Sequence, residues 1–270
     1  MNEFLENNRS LWNGWTAIHA RSKFYDVESF KAGKSSLQSV ELEEVGGVAG
    51  KSLLHLQCHF GMDTLSWARL GARATGVDFS DEAIKLARAL AAELNLPAEF
   101  VCSNLYELPR VLDAAGRFHI VYTSYGVLSW LPDLKAWAEV IAHFLKPGGA
   151  FHLVEYHPLV MLLGDDGATF EYPYFHSDEP LKLHAQGSYA DPQADFSHTE
   201  YGWVHSFSDI INALLGANLH LEYVHEFPFA FYKPWPFLEE EAEGGKSHMK
   251  DRAHDIPLMF SLRAVRAATD

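Results

Sequence analysis

Two short segments of the chain carry side chains suited to binding a nucleoside. Residues 57–61 (QCHFG) follow an apolar run at 52–56 (SLLHL), and Asp78 ends a second apolar run at 74–77. Asp78 lies about 20 residues beyond Gln57, the separation expected between a ligand-binding loop and a carboxylate that accepts hydrogen bonds from ribose hydroxyls. The alternative is that Asp78 only caps the helix after it.

The elements that must position these residues follow an alternating pattern. Helical periodicity after residues 62, 80 and 132 separates apolar runs that predict five strands, at 52–56, 74–77, 99–102, 119–123 and 150–155. This alternation is typical of an α/β protein with a parallel sheet. A helix at 208–215 precedes two further strands, at 219–227 and 258–265. Because no helix is evident between these two, we expect an antiparallel pair at one sheet edge, joined by the Pro- and Glu-rich stretch 228–257.

The parts outside this alternation suggest one domain with additions. We expect helices over residues 1–50, packed outside the sheet as an N-terminal lid, and a core over 51–157. Residues 158–206 are rich in Tyr, Phe, His, Asp and Gly, which predicts an inserted cap. Residues 207–270 supply the last helix and strand pair.

Composition narrows the function classes. The 270 residues are 48% hydrophobic, and 36 acidic against 21 basic residues give a formal charge of −15. This charge disfavours nucleic acids and anionic membranes as partners. Two cysteines cannot form a disulfide framework, and neither a secretion signal nor an apolar run of about 18 residues is evident, so we expect a cytoplasmic protein.

Five segments together resemble the class I S-adenosylmethionine-dependent methyltransferases. They are LLHLQCHFGMDTLSWARLGA, ATGVDFSDEAIKLAR, FVCSNLYELP, FHIVYTSYGVLSWLPD and LKPGGAFHLVE, in the order and at the spacings of that family. The resemblance implies a doubly wound, Rossmann-like sheet of seven strands, mostly parallel, with an antiparallel last pair. It also implies S-adenosylmethionine as cofactor and methyl transfer to a small-molecule acceptor, with O-, N- and C-methylation all open.

The resemblance implies that loop 57–61 wraps the methionine end of the cofactor, although its residues depart from the family pattern. His55 stands where an acid is usual, while Gln57 and His59 occupy two glycine positions and leave Gly61 as the remaining glycine. A side chain at Gln57 or His59 is tolerated if the backbone there has negative φ, but it narrows the space available to a ligand. Cys58 is expected to be a small buried residue with only its backbone near the ligand.

The remaining cofactor contacts implied by the resemblance lie at the ends of the next strands. Asp78 would bind the ribose hydroxyls, Phe79 would stack on the adenine, and Asn104 with Leu105 would meet the adenine edge. Phe79 could equally be a core aromatic. Ser124 and Tyr125 are expected near the methyl-bearing sulfur, with Tyr125 alternatively a wall of the substrate pocket. Tyr25 would close over the cofactor, or simply pack.

For catalysis, His157 is the first candidate general base and Glu155 the second, because strand 150–155 should deliver both to the edge that carries Ser124. A substrate pocket is expected from the aromatic residues Trp12, Trp15, Tyr174, Phe175 and Trp203. We expect no metal site, since His55 and His59 need not face the same way and the histidines of the insertion lack ligand spacing. Two rival functions are a cofactor-binding regulatory module without catalysis and a nucleotide-cofactor oxidoreductase.

Overall fold

The computed structural model describes residues 2–241, 245–250 and 255–268. The strands in this range are β1 (Ser52–Leu56), β2 (Arg73–Asp78), β3 (Ala98–Cys102), β4 (Phe118–Ser124), β5 (Leu145–Tyr156), β6 (Leu181–Gln186), β7 (Ser197–Gly202), β8 (Leu219–Phe227), β9 (Ala230–Phe231), β10 (Leu238–Glu240), β11 (Lys246–Met249) and β12 (Met259–Arg266). The helices are α1 (Glu3–His19), α2 (Val27–Lys31), α3 (Ser39–Val45), α4 (Met62–Arg69), α5 (Asp81–Glu93), α6 (Leu108–Val111), α7 (Leu134–Phe144) and α8 (Phe207–Gly216).

The central sheet of these residues has seven strands in the order β3-β2-β1-β4-β5-β12-β8. Strands β1 to β5 pair in parallel, whereas β12 runs antiparallel to both β5 and β8. The predicted doubly wound sheet with an antiparallel last pair is therefore confirmed. No helix in the described part of the chain combines the length and the apolar character needed to cross a membrane.

Two regions differ from the predicted elements. Strand β5 begins at Leu145, directly after α7, so the Lys-Pro-Gly-Gly segment that ends the helix belongs to the strand. The stretch 228–257, predicted as a plain connection, contains β9, β10 and β11, which form a small antiparallel sheet. Residues 242–244 and 251–254 of that stretch lie outside the described residues.

Alternation along β1 divides the core between the two faces of the sheet. Leu54 and Leu56 join the apolar cluster around α7, and Leu53 joins a second cluster that contains Trp67 of α4. Helix α5 begins where Ser80 Oγ accepts the N–H of Ala83, and its apolar stripe is buried against the sheet. The carboxyl ends of the parallel strands are thereby held at one edge, where ligands bind in such sheets.

Above this edge lie α1 and the β6–β7 hairpin, which is the central part of the predicted insertion. Leu181 pairs with Gly202 and Gln186 with Ser197 along the hairpin. Side-chain amides of α1 tie it to β7: Asn7 Nδ2 donates to Thr199 O and Asn8 Nδ2 to Tyr201 O, both at 2.7 Å. The N-terminal helix and the insertion therefore form a joint cover over the sheet edge.

Glu155, near the end of β5, holds the loop that follows β4. Its buried carboxylate accepts the backbone N–H groups of Gly126, Val127, Leu128 and Tyr156. These four donors use the four lone-pair directions of the two oxygens. Burial raises the pKa of Glu155, while the four hydrogen bonds act in the opposite direction. The predicted role of Glu155 as a general base is thus replaced by a structural one.

We predict that Glu155→Gln lowers the free energy of unfolding by about 2–4 kcal/mol, because the new amide donor faces backbone donors and leaves buried N–H groups without an acceptor. Urea denaturation measures the change. Glu139→Gln, at an exposed position of α7, is the matched control and should change stability by less than about 0.5 kcal/mol. Equal stability of the two variants would contradict the structural role.

Candidate functional site

The loop between β1 and α4 keeps glycine-like geometry at positions that carry side chains. The φ angles are 57° at Gln57, 50° at His59 and 79° at Gly61. The condition of negative φ for a side chain at Gln57 and His59 is therefore not met, and each residue costs about 1–2 kcal/mol relative to a right-handed conformation. At Gly61 a side chain is also excluded by space, since an added Cβ would lie 2.5 Å from Cε1 of Phe100.

Hydrogen bonds hold this strained loop in place. The His59 N–H donates to Asp78 Oδ2 at 2.8 Å, and the Cys58 N–H donates to Val77 O at 2.9 Å. The Gln57 side chain reaches across to the next loop, where Nε2 donates to Val127 O at 3.0 Å. Its other end, Oε1, is buried and has no hydrogen-bond partner among the residues that the structure describes. The side chain of Gln57 thus offers a free acceptor for a ligand.

Asp78 is buried at the end of β2, where its Oδ1 accepts the Ser80 N–H at 2.9 Å. The side chain that caps α5 is that of Ser80 rather than Asp78. Burial raises the pKa of Asp78 to about 6, and its hydrogen bonds to backbone N–H groups oppose that rise. A carboxylate has about four acceptor sites, so these backbone hydrogen bonds leave acceptor capacity for a hydroxyl donor.

A cavity of about 70 Å³ lies in front of Asp78. This cavity is lined by two residues of loop 57–61 and four of the predicted nucleoside contacts: Gln57, His59, Asp78, Phe79, Asn104 and Leu105. Trp12 of α1 and Trp130, with ring centroids 5.3 Å apart, also form part of the wall. Asn104 Oδ1 accepts the Tyr106 N–H at 2.9 Å, which orients this amide at the cavity wall.

His55 and Cys58 do not contribute side chains to this cavity. The His55 ring points to the opposite face of β1, where Nδ1 lies 2.9 Å from Thr64 Oγ1 and burial lowers its pKa to about 3. The predicted contact between the His55 side chain and the cofactor is therefore wrong. Side chains alternate along a strand, so His55 lies on the face of β1 opposite to Leu56. The Cys58 thiol is buried against Gly76, and burial raises its pKa.

Ser124 and Tyr125 each donate to an acid that sequence reasoning did not identify, half-buried Asp63 and buried Glu41. Ser124 Oγ donates to Asp63 Oδ2 at 3.4 Å, and the Tyr125 hydroxyl donates to Glu41 Oε2 at 2.8 Å. Burial raises the pKa of Asp63 to about 6 and that of Glu41 to about 7. The missing acid at position 55 could have directed attention to Asp63, in the first turn of α4.

Tyr25 lies in an aromatic group that covers loop 57–61. Its ring centroid is 5.2 Å from that of His19 and 4.8 Å from that of Phe60, and its hydroxyl contacts that of Tyr189. His19 Nδ1 lies 2.9 Å from His59 Nε2. Tyr25 thus packs over loop 57–61. It does not line the cavity in front of Asp78.

A second cavity, of about 290 Å³, lies between the sheet edge and the β6–β7 hairpin. Trp130 lines both cavities. The other aromatic residues of the second wall are Tyr156, Tyr172, Trp203 and Trp235. Of the predicted pocket residues, Trp203 lies here and Trp12 in the first cavity. Trp15 instead donates to Gly187 O, Tyr174 accepts the Phe207 N–H, and Phe175 is exposed.

His157 does not line either cavity. Its ring packs on Phe207, Nδ1 accepts the Leu159 N–H, and Nε2 lies 2.9 Å from Glu226 Oε1. Burial lowers the pKa of His157, and Glu226 opposes that effect. The predicted delivery of His157 to the edge that carries Ser124 is wrong, because β5 ends at Tyr156 and the next residue turns toward β8. Among the described residues, no group of three or more His, Cys, Asp or Glu side chains could hold a metal ion.

Comparisons with known proteins bear on the same part of the chain. A family model described as a methyltransferase domain matches residues 53–149. A ubiquinone biosynthesis O-methyltransferase from Xanthomonas axonopodis pv. citri (strain 306) is 30% identical over 135 residues, covering 49% of this chain and 55% of the relative. The chain thus matches about half the length of this curated relative.

Two solved structures share the fold over most of the chain. One is described as a putative S-adenosylmethionine-dependent methyltransferase from Listeria monocytogenes, with a TM-score of 0.59, 17% identity and coverage of 84% of this chain and 95% of the other. The other is a geranyl diphosphate C-methyltransferase from Streptomyces coelicolor A3(2), with a TM-score of 0.59, 13% identity and coverage of 98% and 99%. With the domain matched at residues 53–149 and the sheet order, they show that the chain has the fold of these S-adenosylmethionine-dependent methyltransferases.

Proposed function

We propose that the protein is a methyltransferase that binds S-adenosylmethionine in the smaller cavity and a small acceptor in the larger one. The observation that carries this proposal is the pair of cavities at the carboxyl edge of the sheet, with Trp130 in the wall of both. One cavity contains the carboxylate of Asp78, and the other is mainly apolar. A shared wall would let two bound molecules approach each other.

The residues of the smaller cavity fit an adenosyl group. Asp78 retains acceptor capacity for a ribose hydroxyl, and Phe79 and Leu105 provide apolar contacts for a flat base. The unpartnered Gln57 Oε1 provides a further acceptor. A dinucleotide fits less well, because a pyrophosphate normally approaches the backbone at a glycine and this loop carries side chains at Gln57 and His59. These features favour a methyltransferase over the oxidoreductase.

When bound, S-adenosylmethionine would supply a methyl group attached to a sulfonium sulfur, and the leaving group would be the neutral thioether. The chain's contribution is to hold the acceptor in line, at about 3–3.5 Å, an alignment worth roughly 7–11 kcal/mol in favourable cases. Trp12, Trp130 and the β6–β7 hairpin exclude water from the edge. Asp63 and Glu41, which orient Ser124 and Tyr125, place negative charge near the end of β4.

The proposed transfer does not use Glu155 or His157 as a base. The oxygens of Glu155 already accept four N–H groups, and the ring nitrogens of His157 face Leu159 and Glu226. Proximity and orientation are then the main sources of rate enhancement. The acceptor atom must be nucleophilic as bound or lose its proton to another group.

Isothermal titration calorimetry with S-adenosylmethionine tests the cofactor assignment. Asp78→Asn should weaken binding by about 10- to 100-fold, because hydrogen bonds to a charged acceptor are worth about 1.5–3 kcal/mol each. Asp81→Asn, an exposed acid paired with Arg9 and Asn13, is the matched control and should bind normally. Thermal unfolding of each variant checks that the fold is intact.

The same titrations separate the rival functions. Absence of S-adenosylmethionine binding by the unmodified protein would overturn the proposal. Binding without turnover across a panel of amine, phenol, thiol and carboxylate acceptors would favour the regulatory module instead.

The pKa of Asp78 also predicts a pH dependence. Because burial raises this pKa to about 6, the carboxylate is mostly ionised at pH 7.5 and mostly protonated at pH 5. Only the ionised form accepts hydrogen bonds with its full charge, so the affinity for S-adenosylmethionine should fall as pH decreases, by about tenfold at pH 5. Titrations at several pH values measure this fall in affinity. The fall should be smaller in Asp78→Asn, and the same pH dependence in both proteins would contradict the role of Asp78 in binding the cofactor.

A further inference from the structure

The wall of the larger cavity carries acidic side chains but no cationic ones among the described residues. It is formed mainly by aromatic and aliphatic side chains, and the described residues that line it include no Lys or Arg. Apart from the Tyr and Trp residues, its polar side chains are Ser129, Glu155, Glu200 and His205. A bound anion would therefore meet acidic groups with no cation from these residues to balance it.

Two of these polar groups are already used by the fold. Glu155 accepts four backbone N–H groups. His205 Nε2 lies 2.7 Å from Leu131 O, and burial lowers the pKa of this ring to about 4, so it is neutral at pH 7. Neither group is available to recognise a ligand by charge.

Glu200 differs from both. It lies on β7 directly opposite Leu183, so its half-buried side chain and that of Leu183 share the face of the hairpin that lines the cavity. Within the part of the chain that the structure describes, its carboxylate makes no hydrogen bond and no ion pair. The titratable groups that interact with it electrostatically are His198 on the same strand and Tyr172, which also lines the cavity.

An unpaired carboxylate in an apolar cavity is poorly solvated, and burial raises the pKa of Glu200 accordingly. An ammonium group is the ligand chemistry that best relieves this cost, because it supplies both an opposite charge and hydrogen-bond donors. The tryptophan rings of the same wall add a second favourable term for a cation within about 6 Å of a ring face.

We infer that the acceptor taken by the larger cavity is an apolar or aromatic molecule that carries one ammonium group, and that Glu200 binds this group. The inference rests on the proposed function and names its substrate class. Glu200 acts as a specificity residue from the cap, at a distance from the residues of the cofactor loop. The apolar wall binds the body of the acceptor, and a carboxylate or phosphate in place of the ammonium is rejected.

Calorimetry with three probes of similar size tests this inference at pH 7.5: 2-phenylethylamine, 2-phenylethanol and 3-phenylpropanoate. The amine should bind at least tenfold more tightly than the alcohol, and the carboxylate should bind least. Glu200→Gln should remove the preference for the amine and leave the affinity for the alcohol within about twofold. Glu179→Gln, at an exposed cap position outside the cavity wall, is the matched control and should retain the preference.

Equal affinity for the amine and the alcohol, absence of amine binding, or an unchanged preference in Glu200→Gln would overturn the inference. Each sample is also titrated with S-adenosylmethionine. Normal cofactor binding together with a missing amine preference overturns the substrate class alone. Loss of cofactor binding by the unmodified protein overturns the proposed function itself.

Discussion

The hydrogen bonds accepted by Asp78 are the constraint on which the site depends. One carboxylate joins the His59 N–H of the loop after β1 to the Ser80 N–H at the start of α5. Because these donors come from two different connections of the sheet, the bonds fix the spacing between both walls of the smaller cavity. They also offset part of the cost of left-handed backbone at Gln57 and His59. The geometry of the cofactor loop is thus set by the neighbouring strand as much as by its own residues.

The sheet could be predicted closely because its signals are local and repeated. Apolar runs separated by helical periodicity located β1 to β5, and the absence of a helical pattern before residue 258 identified the antiparallel pair. The small sheet of β9, β10 and β11 was missed because its strands are two to four residues long. Such short strands depend on pairing between residues distant in sequence, and they carry too few residues to display a period of two.

Sequence reasoning indicated several residues that line the smaller cavity but misplaced two histidines and missed Glu200. Asp78 was indicated by its place at the end of a predicted strand, whereas Phe79, Asn104 and Leu105 were indicated by the family resemblance; all four line the smaller cavity. His55 was misplaced because a position in a family pattern does not specify which face of the strand a different side chain will occupy. His157 was misplaced because strand alternation ends with the strand, and the N–H of His157 donates to Leu258 O instead. The sequence did not indicate Glu200 as a site residue, because its proposed role depends on the apolar cavity around it, which only the folded structure shows.

The place of β12 in the sheet has a consequence for how the molecule assembles during synthesis. This strand is near the end of the described chain, yet it lies between β5 and β8 and pairs with both. Until residues 259–266 have left the ribosome, β5 presents an open edge to other nascent chains, and such edges promote aggregation. The strand that closes the sheet is therefore made long after the strand it covers, so completion of the core depends on contacts of long sequence separation.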